Sequence, residues 1–431
     1  MASFAHDSYI LPASYDSVPM AWKSNSSAKP LPSSIQCVNV PALTGSAAAS
    51  GTSIIQLPCG SSAGIMMNPY IRLDMTLAGT TSAATTFMFK GVAKCATSLI
   101  NRVSTYINSV QIDNIQNADQ VYDTIFSHAT SYDWLTHDAQ CLMGAPVRDV
   151  AGLASADAAA ATVDGGALAL KTFIIPLIGA LGTQQGVPLF ALNGTLQVQL
   201  DYNSAVRALV SNAGGVPSEF TISNVQLVYD RVSVEQAFVD KVRSDMAAGA
   251  KYVLSYTNFQ STTLATVAGT SFLNYGLNVS SLKAIVAQQM LTLDLSTITS
   301  SGLSLVNGLT QFQVSLDGRL LNSNTINAVT NPALAFAELN KCFSRLFDAS
   351  ITDVSTRANY SGTPSASVTA SSFAVGVSAQ RCGEALAFSG SPVSILGLNT
   401  TTSAALFTLF ITFISDYQLL IDSSGSVEIV R

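Results

Sequence analysis

"VSTYINSVQIDNIQNADQVYDTIF", residues 103–126, reads as a strand, a tight turn, a second strand and then a helix. Asn117 is placed as the N-cap of that helix, and Val121, Tyr122, Ile125 and Phe126 form one apolar stripe for its core side. About two hundred residues on, "FQVSLDGRLLNSNTINAVTNPALAFAELNKCF" (312–343) has the same order of elements. Asp317-Gly318 is its turn signal, Pro332 opens its helix, and Leu334, Phe336, Leu339 and Phe343 take the place of Val121 to Phe126. The helices even end alike, in "IFSHA" and "CFSRL". The chain builds one kind of unit twice.

The flanking segments support a duplication. Between residue 34 and the first quoted stretch come short, mostly alternating β segments: "IQCVNV", "SIIQL", "PYIRLDMTL" and "TFMFKGVA". After it lies a long irregular insert rich in Ala and Asp, Ser131 to Gly166, and then strands "TFIIPLIGA", "TLQVQLDY" and "EFTISNVQLVYDRV". A charged helix, "SVEQAFVDKVRSDMAAG", stands at mid-chain, with Ser233 and Gln236 at capping-box spacing and Gly249 as its left-handed stop. The second half then repeats the plan: "YVLSYTNF", "SFLNYGLN", "SLKAIVAQQMLTL", the hairpin and helix, a Ser/Thr-rich insert from Ser355 to Ser372, and closing strands "SFAVGVSA", "ALFTLFITF" and "YQLLIDS". Many short strands joined by long crossing loops suggest a jelly roll in each half. The expected organisation is an N-terminal arm over 1–34, a first barrel over 35–248 and a second over 249–431. The arm is rich in Ser, Pro and Asn, with isolated Tyr9, Ile10, Met20 and Trp22 suited to docking.

Composition narrows the function. Of 431 residues 48% are hydrophobic and only 11% charged, against roughly 25% charged in ordinary soluble proteins. The longest apolar runs, Ala404 to Ile414 and Ala167 to Leu181, are too short or too interrupted (Asp416; Lys171, Pro176) for a helix crossing a membrane. Such a surface is expected to be consumed by protein–protein contacts. Net charge is −6 with no Lys/Arg run, so direct nucleic-acid binding is not expected. The first residues lack a basic segment followed by an apolar one, so no secretory signal is expected. Cys37, Cys59, Cys95, Cys141, Cys342 and Cys382 have no CxxC spacing and are expected as free thiols in apolar niches, made in a reducing cytoplasm.

Catalytic patterns are thin. His128, His137 and Cys141 are the one cluster of metal-ligand types, without a fourth ligand or tight pairing, and polar interface residues are the blander reading. His6 is the third histidine, and no GxSxG elbow accompanies any of them. Glu219, Glu235, Glu338, Glu384 and Glu428 offer few candidates for paired carboxylates. "GTQQG" and "NAGG" lack the Lys-Ser/Thr ending of a phosphate loop. Sequons at Asn25, Asn193, Asn278, Asn359 and Asn399 are expected by chance in a chain so rich in Ser and Thr. No catalytic, cofactor or metal residue is therefore assigned.

"TFIIPLIGALGTQQGVPLFALNGTLQVQLDY" (172–202) resembles the double jelly-roll major capsid proteins of tailless icosahedral DNA viruses, which include membrane-containing phages, large eukaryotic DNA viruses and, distantly, adenovirus hexon. Phe173, Pro176, Leu177, Pro188, Leu189, Ala191 and Leu192 carry the likeness, with "VQLVYDRVSVEQAFVD" and "KYVLSYTNFQS" resembling the end of the family's first barrel and the start of its second. "IGALG" stands where the family has an aromatic cluster. The resemblance implies an all-β chain of two tandem eight-stranded jelly-roll barrels with a few short helices. It implies a non-enzymatic homotrimer forming a pseudo-hexagonal capsomer in the virion shell, made in the host cytoplasm. Its partners would be neighbouring capsomers, penton and minor capsid proteins, and an internal lipid membrane reached by the arm. Ser131 to Gly166 and Ser355 to Ser372 would supply towers or clasps. A jelly-roll carbohydrate-binding protein or glycosidase, and a surface-layer or spike protein, are the competing readings.

Overall fold

The computed structural model describes residues 34–60, 64–78, 87–131, 134–144, 171–182, 186–211, 219–266, 269–277, 279, 281–297, 309–316, 319–321, 325–328, 330–343, 360, 372–379, 386–387, 392–399 and 407–430. The arm and the Asp317-Gly318 turn lie outside the described residues, as does most of both long inserts.

The first half forms two facing antiparallel sheets. One runs β1 (Ser34–Pro41), β12 (Glu219–Ser233), β4 (Ile65–Ala78), β8 (Lys171–Pro176), with β2 (Ser46–Ala48) on β12 and β9 (Val187–Pro188) on β4. The other runs β3 (Thr52–Cys59), β10 (Gly194–Tyr202), β6 (Ile100–Ile107), β7 (Val110–Gln116). A two-stranded ribbon joins β5 (Phe87–Phe89) to β11 (Leu209–Ser211). The second half repeats the order: β13 (Tyr252–Thr266), β21 (Phe407–Ile421), β15 (Ser281–Leu291), β18 (Val375–Ser378) in one sheet, with β19 (Leu386–Ala387) on β15 and β22 (Val427–Val430) on β21. Its facing sheet is β14 (Gly269–Gly276), β20 (Pro392–Asn399), β16 (Leu309–Leu316), β17 (Arg319–Leu320). Each sheet thus reads first–last–third–sixth or second–seventh–fourth–fifth in terms of its own eight principal strands. The architecture is two tandem eight-stranded jelly rolls.

Alternation builds both cores. β10 buries every second residue from Leu196 to Tyr202, and Leu196, Val198 and Leu200 meet Ile55, Leu57, Val103, Leu73 and Leu227 inside the first barrel. Phe312, Val314, Ile395, Ile285, Ile411 and Phe413 fill the second. The quoted stretches are the β6–β7 hairpin with α1 (Ala118–His128), and β16–β17 with α5 (Pro332–Cys342); each helix bridges the two sheets of its barrel. The remaining helices are α2 (Ala139–Met143), α3 (Ala205–Ala208) and α4 (Gln236–Ala247). Among the described residues, no helix is long and apolar enough to cross a membrane.

The local expectations hold unevenly. Asn117 stands at the N-cap of α1 in left-handed conformation (φ 45°), but its side chain does not cap; it accepts from Arg207 instead. Asn331 does cap α5, accepting from the Leu334 amide at 3.2 Å. Of the expected stripe on α5 only Leu339 is fully buried, beside Ala335 and Cys342, while Phe336 and Phe343 are partly buried against the core. The Ser233/Gln236 capping box is absent. Ser233 stays paired with Ser34 as the last residue of β12, so α4 starts after Glu235. Gly249 ends α4 as expected: at φ +102° it donates to Met246, and Ala250 donates to Asp245. "ALFTLFITF" and "YQLLIDS" are one strand, β21, paired with β13 without interruption from Phe407 to Ile421. Phe407 to Ser415 are buried without a break, alternation sets in at Asp416, and Asp416 pairs with Lys283 of β15 at 2.5 Å.

Phe312 is fully buried in β16. Phe312→Ala is expected to cost about 3–5 kcal/mol by lost transfer energy and cavity formation. Equilibrium denaturation followed by near-UV circular dichroism checks this.

Candidate functional site: the seam between the barrels

The two barrels meet along their edges, with β13 of the second against β7 of the first. Both are edge strands of their own sheets. A bulge at Ile112 interrupts the pairing of β7 with β6, and the Ile112 carbonyl accepts a hydrogen bond from the Tyr256 hydroxyl of β13 at 2.7 Å. Asn117 donates to the Ser261 hydroxyl at 3.4 Å from the top of α1.

Polar side chains tie the rest of the seam to backbone. Lys90, nearly buried, donates to the carbonyls of Asp294 (2.5 Å) and Thr297 (2.7 Å) in the other barrel. Burial pushes its ammonium down to about 8. Arg207 pairs with Asp119 at 3.0 Å and lays its guanidinium 5.8 Å from the ring centre of Phe410 in β21. Asn193 donates to Ser424 (2.7 Å) and Asn108 to Gly425 (3.3 Å), holding the last turn of the chain against the first barrel. The Lys90 and Asn108 bonds occupy carbonyls beside the contact, whereas the Ser424 carbonyl lies at the surface.

Two openings flank this contact. A cleft of about 560 Å³ lies between the turn at Leu177–Gly182 and Ser255–Phe259 of β13, with the Lys283–Asp416 pair on its far side. A smaller groove of about 230 Å³ between β7 and β13 is lined by Asp113, by amide side chains and by Tyr275 and Tyr417. Asp113 of β7 lies just behind the turn, its carboxylate accepting from the Ala180 amide at 2.9 Å. Desolvation pushes that carboxyl up to about 7.

The residues singled out from sequence as candidates for chemistry do not converge. His128 is buried at the end of α1, whereas His137 and Cys141 are exposed on the helical segment 134–143. Among the described residues no group of three or more His, Cys, Asp or Glu is placed to hold a metal. Glu338 pairs with Lys341 and Glu428 with Lys251, so neither faces a second carboxylate in those contacts. Glu219 ends up at the start of β12 and Glu235 before α4. Cys95 and Cys342 occupy buried niches, but Cys37 and Cys141 are exposed, because the first lies on the open strand β1 and the second on the outer side of α2. Burial pushes the Cys59 thiol up to about 11. Asn193 is spent on Ser424 and Asn399 closes β20. His6, Trp22, Asn25, Asn278, Asn359, Cys382 and Glu384 lie outside the described residues.

Comparison with solved structures decides what this arrangement is. The chain is similar to the capsid of PBCV-1 virus (12% identity, TM-score 0.57), over 94% of this chain and 98% of that one. It is similar to the Faustovirus major capsid protein (10%, 0.59) over 92% of each, and to a chain of the Sputnik virophage (13%, 0.57) over 92% and 88%. The fold is the double jelly roll of major capsid proteins. No family model matches the sequence, and neither does any curated protein. A double jelly roll can thus persist at identities where only geometry shows it. Phe173, Pro176, Leu177, Pro188, Leu189, Ala191 and Leu192, on which the sequence resemblance rested, sit on β8, β9 and the turns beside them, where Phe173 packs edge-on to Phe89 at 5.2 Å.

The seam residues Tyr256, Lys90, Arg207 and Asp113 were not singled out by sequence. One signal existed: Lys90 interrupts the apolar run "TFMFKGVA", where a lysine needs a partner.

Lys90→Met keeps the stem volume but leaves the Asp294 and Thr297 carbonyls without their donor. A loss of about 2–3 kcal/mol in stability is expected, read as a lowered denaturation midpoint; no change would mean that water replaces the ammonium.

Proposed function

We propose that this chain is the structural major capsid protein of an icosahedral virus, acting as a homotrimer whose six barrels form a pseudo-hexagonal capsomer. The observation that carries the reading is a contrast between two strands in equivalent places. β1 and β13 are each the first strand of their barrel and the edge of the corresponding sheet. β13 buries Tyr252, Leu254, Tyr256, Asn258 and Ser261 against its surroundings, which include β7. β1 buries no residue, and its Ile35 is 66% exposed. In the second barrel β17, the counterpart of β7, is likewise an edge strand among the described residues, with Leu320 54% exposed.

The covered seam therefore has an uncovered counterpart split between the two ends of one molecule. β1 of one copy against β17 of the next would repeat the internal seam. A heterologous contact of that kind closes into a ring when its rotation permits, and three copies is the number that the likeness to capsid proteins suggests. The low charge content fits a wall hidden by neighbours. In this reading, residues 35–248 and 249–431 are the two barrels, and the arm (1–34) faces the particle interior and its lipid. The long inserts supply towers or clasps, and penton and minor capsid proteins complete the shell. Synthesis is placed in the host cytoplasm, and the work is assembly, with no catalytic residue assigned.

Light scattering on the purified chain should give three copies of 45.0 kDa, about 135 kDa, persisting on dilution. Ile35→Asp combined with Leu320→Asp places like charges across the proposed contact and should yield a folded species of 45.0 kDa. A wild-type monomer would overturn the reading. A trimer indifferent to the double substitution would move the contact elsewhere.

A further inference from the structure

We propose that Asp113 is a proton-operated latch of the internal seam: its neutral carboxyl holds the Leu177–Gly182 turn closed, and its ionisation loosens that turn and the β7–β13 contact. The inference concerns the single chain and stands whether or not the chain assembles.

The geometry begins with the bulge. In a regular strand Ile112 and Asp113 would point to opposite faces, but both are buried, and Asp113 turns inward on the same side as Ile115. One carboxyl oxygen, Oδ2, accepts from the Ala180 amide. The other, Oδ1, is buried without a well-formed hydrogen bond among the described residues, the Asn114 amide being the second backbone donor that acts on the carboxyl. The turn is moulded on the carboxyl, since a Cβ at Gly179 (φ +77°) would stand 1.9 Å from Oδ2. On its outer side the same turn, through Leu177, Ile178, Gly179 and Gly182, lines the open cleft against β13. Asp113 is thus one turn's thickness from the cleft and one residue from Ile112, whose carbonyl holds Tyr256.

An ionised carboxylate held in so dry a place seeks water, and the groove between β7 and β13, which Asp113 itself lines, supplies it. Drawing water in from there parts β7 from β13 and slackens the carboxyl's hold on the Ala180 amide of the turn. Among the described residues the surroundings offer no compensating charge: the facing titratable group is the Tyr122 hydroxyl of α1, which donates to the Pro176 carbonyl at 2.8 Å. The turn itself carries no titratable side chain, and the only charged residues lining the cleft among the described residues, Lys283 and Asp416, are paired with each other. Burial pushes the Asp113 carboxyl up to about 7, above the roughly 3.9 of an unfolded aspartate. Stability from the neutral form is therefore complete below about pH 4, declines as pH rises to about 7, and is gone above it.

The test compares wild type with Asp113→Asn, which mimics the neutral carboxyl, and with Tyr256→Phe, which removes a seam bond without a titrating group. From pH 4.5 to 8, wild type should lose about 5 °C in melting temperature relative to Asp113→Asn. Tyr256→Phe should run parallel to wild type at lower temperature. Hydrogen exchange, corrected for intrinsic rates, should rise with pH in peptides spanning 177–182 and 252–259 of wild type, and less so in Asp113→Asn. Parallel melting curves for wild type and Asp113→Asn would overturn the proposal. So would a pH-dependent exchange difference spread equally to 281–291, since that would make Asp113 a buried acid with no special hold on the seam. If Asp113→Asn fails to fold, the wild-type exchange pattern against Tyr256→Phe decides by the same criterion of locality.

Discussion

A strand at the edge of a sheet carries a row of N–H and C=O groups without a ladder partner, and a jelly roll made of two open sheets has such strands on both sides. This chain meets that constraint by placing a second barrel against the first. β13 covers β7, the polar side chains of one barrel reach backbone carbonyls of the other, and the closing turn of the chain is held by Asn108 and Asn193. The order of strands within each barrel and the placing of α1 and α5 bring the edges together. The bulge at Ile112 shapes the carbonyl that Tyr256 meets.

Specific polar contacts cross the seam. Lys90 and Tyr256 bond to main chain, while Arg207 is fixed by Asp119 and spreads over Phe410. Contacts of this kind depend on distance and angle, so they fix the relative position of two bodies more sharply than apolar area does. Apolar burial is continuous through both barrels. Two barrels of different sequence keep one plan because the core needs only alternation and volume, and the seam adds a handful of particular side chains.

Much of the fold was readable because periodicity survives divergence. The hairpin and helix at 103–126 and 312–343 announced themselves through alternation, a stripe and a turn signal. The resemblance at 172–202 rested on Pro and Leu positions that do occupy β8, β9 and the adjoining turns. What failed were points where distant pairing overrides local chemistry. Ser233 has cap spacing but is claimed by Ser34 across the sheet, and Ser415-Asp416 looks like a break but is paired through by β13. The seam was the least legible feature, because Asp113 is indistinguishable in sequence from any turn or surface aspartate. Its significance arises only when the bulge turns it inward beneath Ala180.

The two edges of this molecule also differ in the kind of encounter they permit. β7 and β13 are joined by one polypeptide, so each meets the other at a fixed, high effective concentration from the moment both barrels exist, and dilution cannot separate them. β1 and β17 enjoy no such tether, and any contact they make with another copy responds to how many copies are present. The same structural motif is therefore kinetically privileged in one place and subject to mass action in the other. Covalent linkage orders the events: the internal joint is settled first, molecule by molecule, and the outer edges answer only to abundance.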